Sequence, residues 1–140
     1  CKRKTYRYII NNSPEGTAIY RYLETHIPQK LNVEKMEKAV KYFIGEHDFK
    51  AFKASGTSSK SSVRIIYDAK AYQNGDKIYI ELTGNGFLYN MVRIMVGTLL
   101  KIQQGKIPAD GIPDLFAQKS RNHKGITAPP QGLYLQQVNY

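Results

Sequence analysis

Tryptophan is absent, and cysteine occurs once, at position 1, so the chain can form no internal disulfide and no cysteine-based metal centre. Histidine is scarce: His26, His47 and His123 stand far apart and lack the spacing of zinc ligands. No apolar run reaches the roughly 20 residues of a membrane-spanning helix. With no signal-peptide pattern in these residues either, the expected home is the cytoplasm. Acidic residues are few, 11 Asp and Glu against 21 Lys and Arg, for a formal charge of +10. That excess points to a polyanion, either nucleic acid or an anionic membrane surface, unless the protein is basic merely to stay in solution. Nucleotide fingerprints are missing too. There is no Walker A loop, and Gly84-Asn85-Gly86 lacks the further glycines of a dinucleotide turn. The serines of 55–62 form no nucleophile elbow, and no aromatic RNA-recognition octapeptide occurs.

What is present supports a packed domain. At 140 residues with 41% apolar content, the chain reads as a single domain, 1–140, with a real core. It opens on Cys1 in a way that reads as mid-sequence, so the expectation is the C-terminal portion of something longer. The stretch Gly84 to Leu100 dominates. On a helix, Phe87, Leu88, Met91, Val92, Met95, Val96 and Leu99 share one wide face, and Arg93 falls in a narrow strip with Asn90 and Gly97. Spacing alone favours an Arg93 stem packed on the core with its head in water. The sharper alternative is a guanidinium held rigidly and aimed at a carboxylate or phosphate.

Elsewhere the patterns are local and legible. Lys4 to Asn11 alternates as a strand, with Tyr6, Tyr8 and Ile10 on one side and Thr5, Arg7 and Ile9 on the other. Thr17 to Pro28 is ambiguous. Asn32 suits an N-cap for a helix over Val33 to Ile44, closed by Gly45. Asp48 to Phe52 suits one more turn, whereas Lys53 to Ser62 reads as a mobile basic loop. Val63 to Tyr72 and Lys77 to Thr83 form a hairpin around Asn74-Gly75. The Arg93 helix ends at Gly105 and Pro108; Ile112 to Gln118 is a short helix, and Leu133 to Tyr140 a last strand. The order predicts an α+β, ferredoxin-like βαββαβ fold, with a mostly antiparallel sheet and helices on one face. The other sheet face would be free for a partner.

Three segments carry a resemblance: Lys4-Thr5-Tyr6-Arg7-Tyr8; Gly45-Glu46-His47-Asp48-Phe49 with Phe52; and Gly84-Asn85-Gly86-Phe87-Leu88-Tyr89-Asn90-Met91-Val92-Arg93 with Gly97. The ending Thr127-Ala128-Pro129-Pro130-Gln131-Gly132-Leu133 agrees as well. Together they resemble the C-terminal half of the tRNA pseudouridine synthase A (TruA) family, over nearly the whole chain. The resemblance implies an isomerase that converts uridine to pseudouridine in the tRNA anticodon stem-loop, as a homodimer, without cofactor or catalytic metal. It implies that Tyr6 stacks near the target uracil, that Arg93 pairs with the catalytic aspartate, and that Leu133 contacts the base. A basic RNA surface would draw on Lys2, Arg3, Lys4, Arg121 and Lys124. The ordinary readings are cross-strand packing for Tyr6, core for Leu133, and a helix terminus for His47 to Phe49, the last being preferred.

Two departures stand out. The family's Gly-Arg-Thr-Asp-Ala-Gly segment, which bears the catalytic aspartate, is absent; Asp48, Asp68, Asp76, Asp110 and Asp114 sit in other contexts. Ser120 and Lys124 stand where the family usually has Asp and Ala. The expectation is therefore one wall of a uracil pocket, inactive alone and completed by the N-terminal half. A different class remains open, a non-catalytic RNA-binding module that stacks bases on Tyr6 and Tyr8. So does a self-association domain with an exposed apolar sheet edge.

Overall fold

The computed structural model describes residues 3–12, 25–27, 30–53, 61–118 and 127–139. Strand β1 spans Arg3–Asn11, and β2 is the short Thr25–His26. Helix α1 spans Val33–Val40, β3 Gly45–Asp48, β4 Val63–Asn74 and β5 Lys77–Gly84. Helices α2, Met91–Gln103, and α3, Ile112–Gln118, precede β6, Leu133–Asn139. Lys2, Ser120, Arg121, Lys124, residues 54–60 of the serine-rich loop and most of Thr17 to Pro28 lie outside the described residues.

The strands form one sheet in the order β2-β1-β5-β4-β3, with β6 also on the outer edge of β1. All pairings are antiparallel except the short β1–β2 bridge. Leaving out β2, β3 and α3, the elements run β1-α1-β4-β5-α2-β6 with neighbours β6-β1-β5-β4, the expected ferredoxin-like arrangement. Alternation along the strands sets the core. Tyr8 and Ile10 of β1, Ile78, Ile80 and Leu82 of β5, and Ile66, Ala69 and Ala71 of β4 are all buried. They share one core with Met36, Ala39 and Val40 of α1 and Met91, Ile94, Met95 and Leu99 of α2.

Several local features differ from the sequence reading. Asn32 caps α1 as expected, its side chain accepting from the Lys35 amide at 3.1 Å. The helix, however, tightens after Val40 into a 3-10 turn, Lys41–Phe43, before Gly45 turns the chain at φ 118°. Glu46, His47 and Asp48 then form an edge strand on β4 rather than a helix terminus. Asp48 caps the next 3-10 turn, Phe49–Phe52, through the Lys50 amide at 3.0 Å. At the hairpin, Gly75 takes φ 64° at the first position of a two-residue loop, where a positive φ fits the strand twist.

The sheet face away from the helices is polar. Arg7 and Lys70 approach Glu81 at 3.5 and 3.9 Å, and the Tyr72 hydroxyl donates to it. Tyr72 stacks on Tyr79 at 5.2 Å, and Arg3 lies 4.6 Å above the Tyr67 ring. Burial, reinforced by the bond to Glu81, raises the Tyr72 pKa above its ordinary 10.0. Tyr6 and Tyr8 are not on this face. Tyr8 is fully buried and Tyr6 packs against the core beneath the helices. Base stacking on Tyr8, one of the pair named for a binding module, is therefore corrected, because its ring is fully buried on the helix side of the sheet.

Candidate active-site wall around Arg93

Helix α2 is apolar on nearly every side, with ten of its thirteen residues buried. Such a helix is fixed by packing all round, which makes it a rigid mount for the half-buried Arg93 in its first turn. The helix starts at Met91, not within the preceding glycine-bounded stretch that shares its apolar stripe. Asn90 stops the helix from extending backwards. It sits at φ 59°, ψ 10°, the one positive φ outside glycine among the described residues. The loop before it is pinned to β4, with the Asn85 amide donating to the Ile65 carbonyl at 3.0 Å and the Ile65 amide to the Asn85 side chain at 2.9 Å.

The guanidinium is held at two atoms. Arg93 Nε donates to the Ala128 carbonyl at 2.7 Å, and Nη1 donates to Asn90 Oδ1 at 3.2 Å. The backbone reciprocates, since the Ala128 amide donates to the Arg93 carbonyl at 2.9 Å. One residue on, the Pro129 carbonyl accepts from the Tyr8 hydroxyl at 2.6 Å. The connection before β6 is thus stitched to both α2 and β1. Among the described residues, no carboxylate reaches Arg93 and its Nη2 has no partner.

The other expected site residues lie on the same side of the sheet. Tyr6 meets Phe87 edge to face, with centroids 5.0 Å apart and an interplanar angle of 81°. Leu133 pairs across β1 with Tyr8, and Leu135 with Tyr6, so Leu133 is a diagonal neighbour of Tyr6 on one face. Leu133 and Tyr6 are half-buried, whereas Leu135 is 52% exposed. Tyr6, Phe87, Arg93 and Leu133 are thereby linked through two short segments, Phe87 to Arg93 and Ala128 to Leu133. Of the basic candidates, Arg3 is exposed and Lys4 half-buried. The sequence assigns Phe87, Asn90 and Ala128 no role of their own, although it sets Asn90 in the Arg93 strip and all three fall in the segments that carry the resemblance.

Among the described residues no three His, Cys, Asp or Glu side chains converge to hold a metal ion, and no helix is long and apolar enough to cross a membrane. An open depression of about 530 Å³, lined by Lys30, Asn32, Lys35 and Gln103, lies at the far end of α2. Ten residues of helix separate Gln103 from Arg93, about 15 Å of rise, so this hollow is no part of the Arg93 arrangement.

A family model described as tRNA pseudouridine synthase matches residues 39–140. The chain is 52% identical over 139 residues to tRNA pseudouridine synthase A of Thermoanaerobacter pseudethanolicus, covering 99% of this chain and 57% of that protein. It is 48% identical to the protein of the same name from Acetivibrio thermocellus, with the same coverage. It is 45% identical to tRNA pseudouridine synthase A 1 of Bacillus thuringiensis subsp. konkukian, covering 99% and 56%. The chain thus spans little more than half the length of these relatives. It belongs to the tRNA pseudouridine synthase family.

Proposed function

We propose that these residues are one domain, the C-terminal portion of a longer enzyme that isomerises uridine to pseudouridine in the tRNA anticodon stem-loop. The reaction breaks the glycosidic bond from N1 to C1′, turns the free uracil and joins C5 to C1′. Nothing leaves, so the pocket must keep a detached base without gripping only one of its edges. Tyr6, braced by Phe87, gives one flat wall, and Leu133 gives an apolar one. Arg93 offers Nη2, which has no partner among the described residues, to an aspartate supplied by the rest of the enzyme. The pair keeps that carboxylate ionised and aimed at the sugar or base. The observation that carries this reading is the two-point hold on Arg93. A guanidinium merely trailing into solvent would need neither the Ala128 carbonyl nor Asn90 Oδ1.

The enzyme is cytoplasmic and works as a homodimer, and its basic surface, including Arg3 and Lys4 with Lys2, Arg121 and Lys124, meets the tRNA phosphates. Adding the purified 140 residues to uridine-labelled tRNA tests the division of labour. No pseudouridine is expected from this chain alone, and activity is expected when the remainder of the enzyme is joined to it. Turnover by the isolated chain would overturn the reading. Affinity for tRNA should fall steeply with salt as counterions are released, and a flat dependence would count against the basic surface.

A further inference from the structure

Asn90 sits where an N-cap belongs but does not act as one. A cap residue is normally extended and lends its side chain to an amide of the first turn. Asn90 is left-handed and makes no side-chain capping bond. Its Oδ1 accepts instead from Arg93 Nη1 at 3.2 Å, three residues along the chain. Left-handed backbone is uncommon outside glycine, and here it turns the amide of Asn90 toward the guanidinium. One anchor, the Nε bond to Ala128, would leave the planar group free to roll about that bond. A second anchor at Nη1 fixes the roll, and with it the direction of Nη2.

We infer that Asn90 is a positioning residue, which sets the plane of the Arg93 guanidinium so that Nη2 faces the incoming carboxylate. This rests on the reading above that Arg93 pairs with the aspartate of the whole enzyme. Aspartate orientation would then depend on a residue that touches neither substrate nor carboxylate.

The decisive variant is Asn90→Gly in the full-length enzyme. Glycine accepts φ 59° without strain, so the fold and the helix start are kept while Oδ1 is lost. The expected result is a fall in kcat of about tenfold or more, as for a lost charge-assisted hydrogen bond. KM for tRNA should stay within about twofold, and Tm should stay within about 3 °C. In an Arg93→Lys background, which has no Nη1 to hold, Asn90→Gly should cause no further loss. Unchanged kcat for Asn90→Gly beside a large loss for Arg93→Lys would overturn the positioning role and spare the parent reading. A lowered Tm that tracks the loss of kcat would also overturn it, in favour of a structural role. Full activity of Arg93→Lys and Asn90→Gly alike would overturn both.

Discussion

Replacing Tyr8 with phenylalanine deletes a single oxygen from a ring that is otherwise fully buried. That oxygen donates to the Pro129 carbonyl at 2.6 Å and so ties the segment before β6 to β1. A hydrogen bond of this kind contributes about 1 kcal/mol net. Pro129 is exposed, so water can take the freed carbonyl, and the larger penalty for an orphaned buried acceptor does not apply. Tyr8→Phe should therefore destabilise the chain by about 1 kcal/mol, or roughly 3–5 °C in Tm. The more telling effect is local. The Ala128 amide, bonded to the Arg93 carbonyl, belongs to the same segment, and its opening should become about fivefold more frequent. Hydrogen exchange followed residue by residue reads this directly. Ala128 should exchange about fivefold faster, whereas an amide at the β4–β5 turn such as Lys77 should keep its rate. An unchanged Ala128 rate in a destabilised variant would refute the idea that Tyr8 secures the Arg93 acceptor.

Two further perturbations test the loop and the polar sheet face. A Cβ at Gly84 would lie 2.8 Å from the Ile65 carbonyl oxygen and 3.3 Å from Phe87 Cζ, so Gly84→Ala must displace backbone. It should cost about 1–3 kcal/mol in urea denaturation. Gly86→Ala, whose new Cβ would meet Arg64 Nε at an ordinary 3.5 Å, should stay within about 0.5 kcal/mol; equal midpoints for the two variants would contradict this. Tyr72, whose pKa is raised by burial and by Glu81, keeps its proton in the folded state after the unfolded chain has lost it. Its contribution to stability is fully present below about pH 10 and is lost as pH rises through the folded value. Tyrosinate absorbance should show Tyr72→Phe removing a late-titrating ring, and loss of an early one would be the contrary result.

The fold was legible wherever local pattern and long-range packing agree. Ile78, Ile80 and Leu82 alternate cleanly, and every one is buried. Asn32 announces α1, and the apolar density of 91–100 announces a buried helix. Polar Glu46, His47 and Asp48 became a strand only because β4 offers them an edge, which no periodicity in four residues can reveal. The start of α2 was misplaced because Phe87 and Leu88 continue its apolar stripe, while the left-handed turn at Asn90 that ends the stripe leaves no hydrophobic signature. The bond from Arg93 to Ala128 spans 35 residues. Spacing alone pointed that side chain toward water; only the family resemblance singled it out, and neither source foresaw its acceptor.

The most direct test is Arg93→Ala in the full-length enzyme, with pseudouridine formation and tRNA affinity measured on the same preparation. If Arg93 orients and keeps ionised the catalytic carboxylate, turnover should fall about a hundredfold or more, as for loss of a buried charge-assisted contact. Affinity for tRNA and its salt slope should be almost unchanged. Equal losses in turnover and affinity, with a salt slope smaller by about one, would place Arg93 on a phosphate instead.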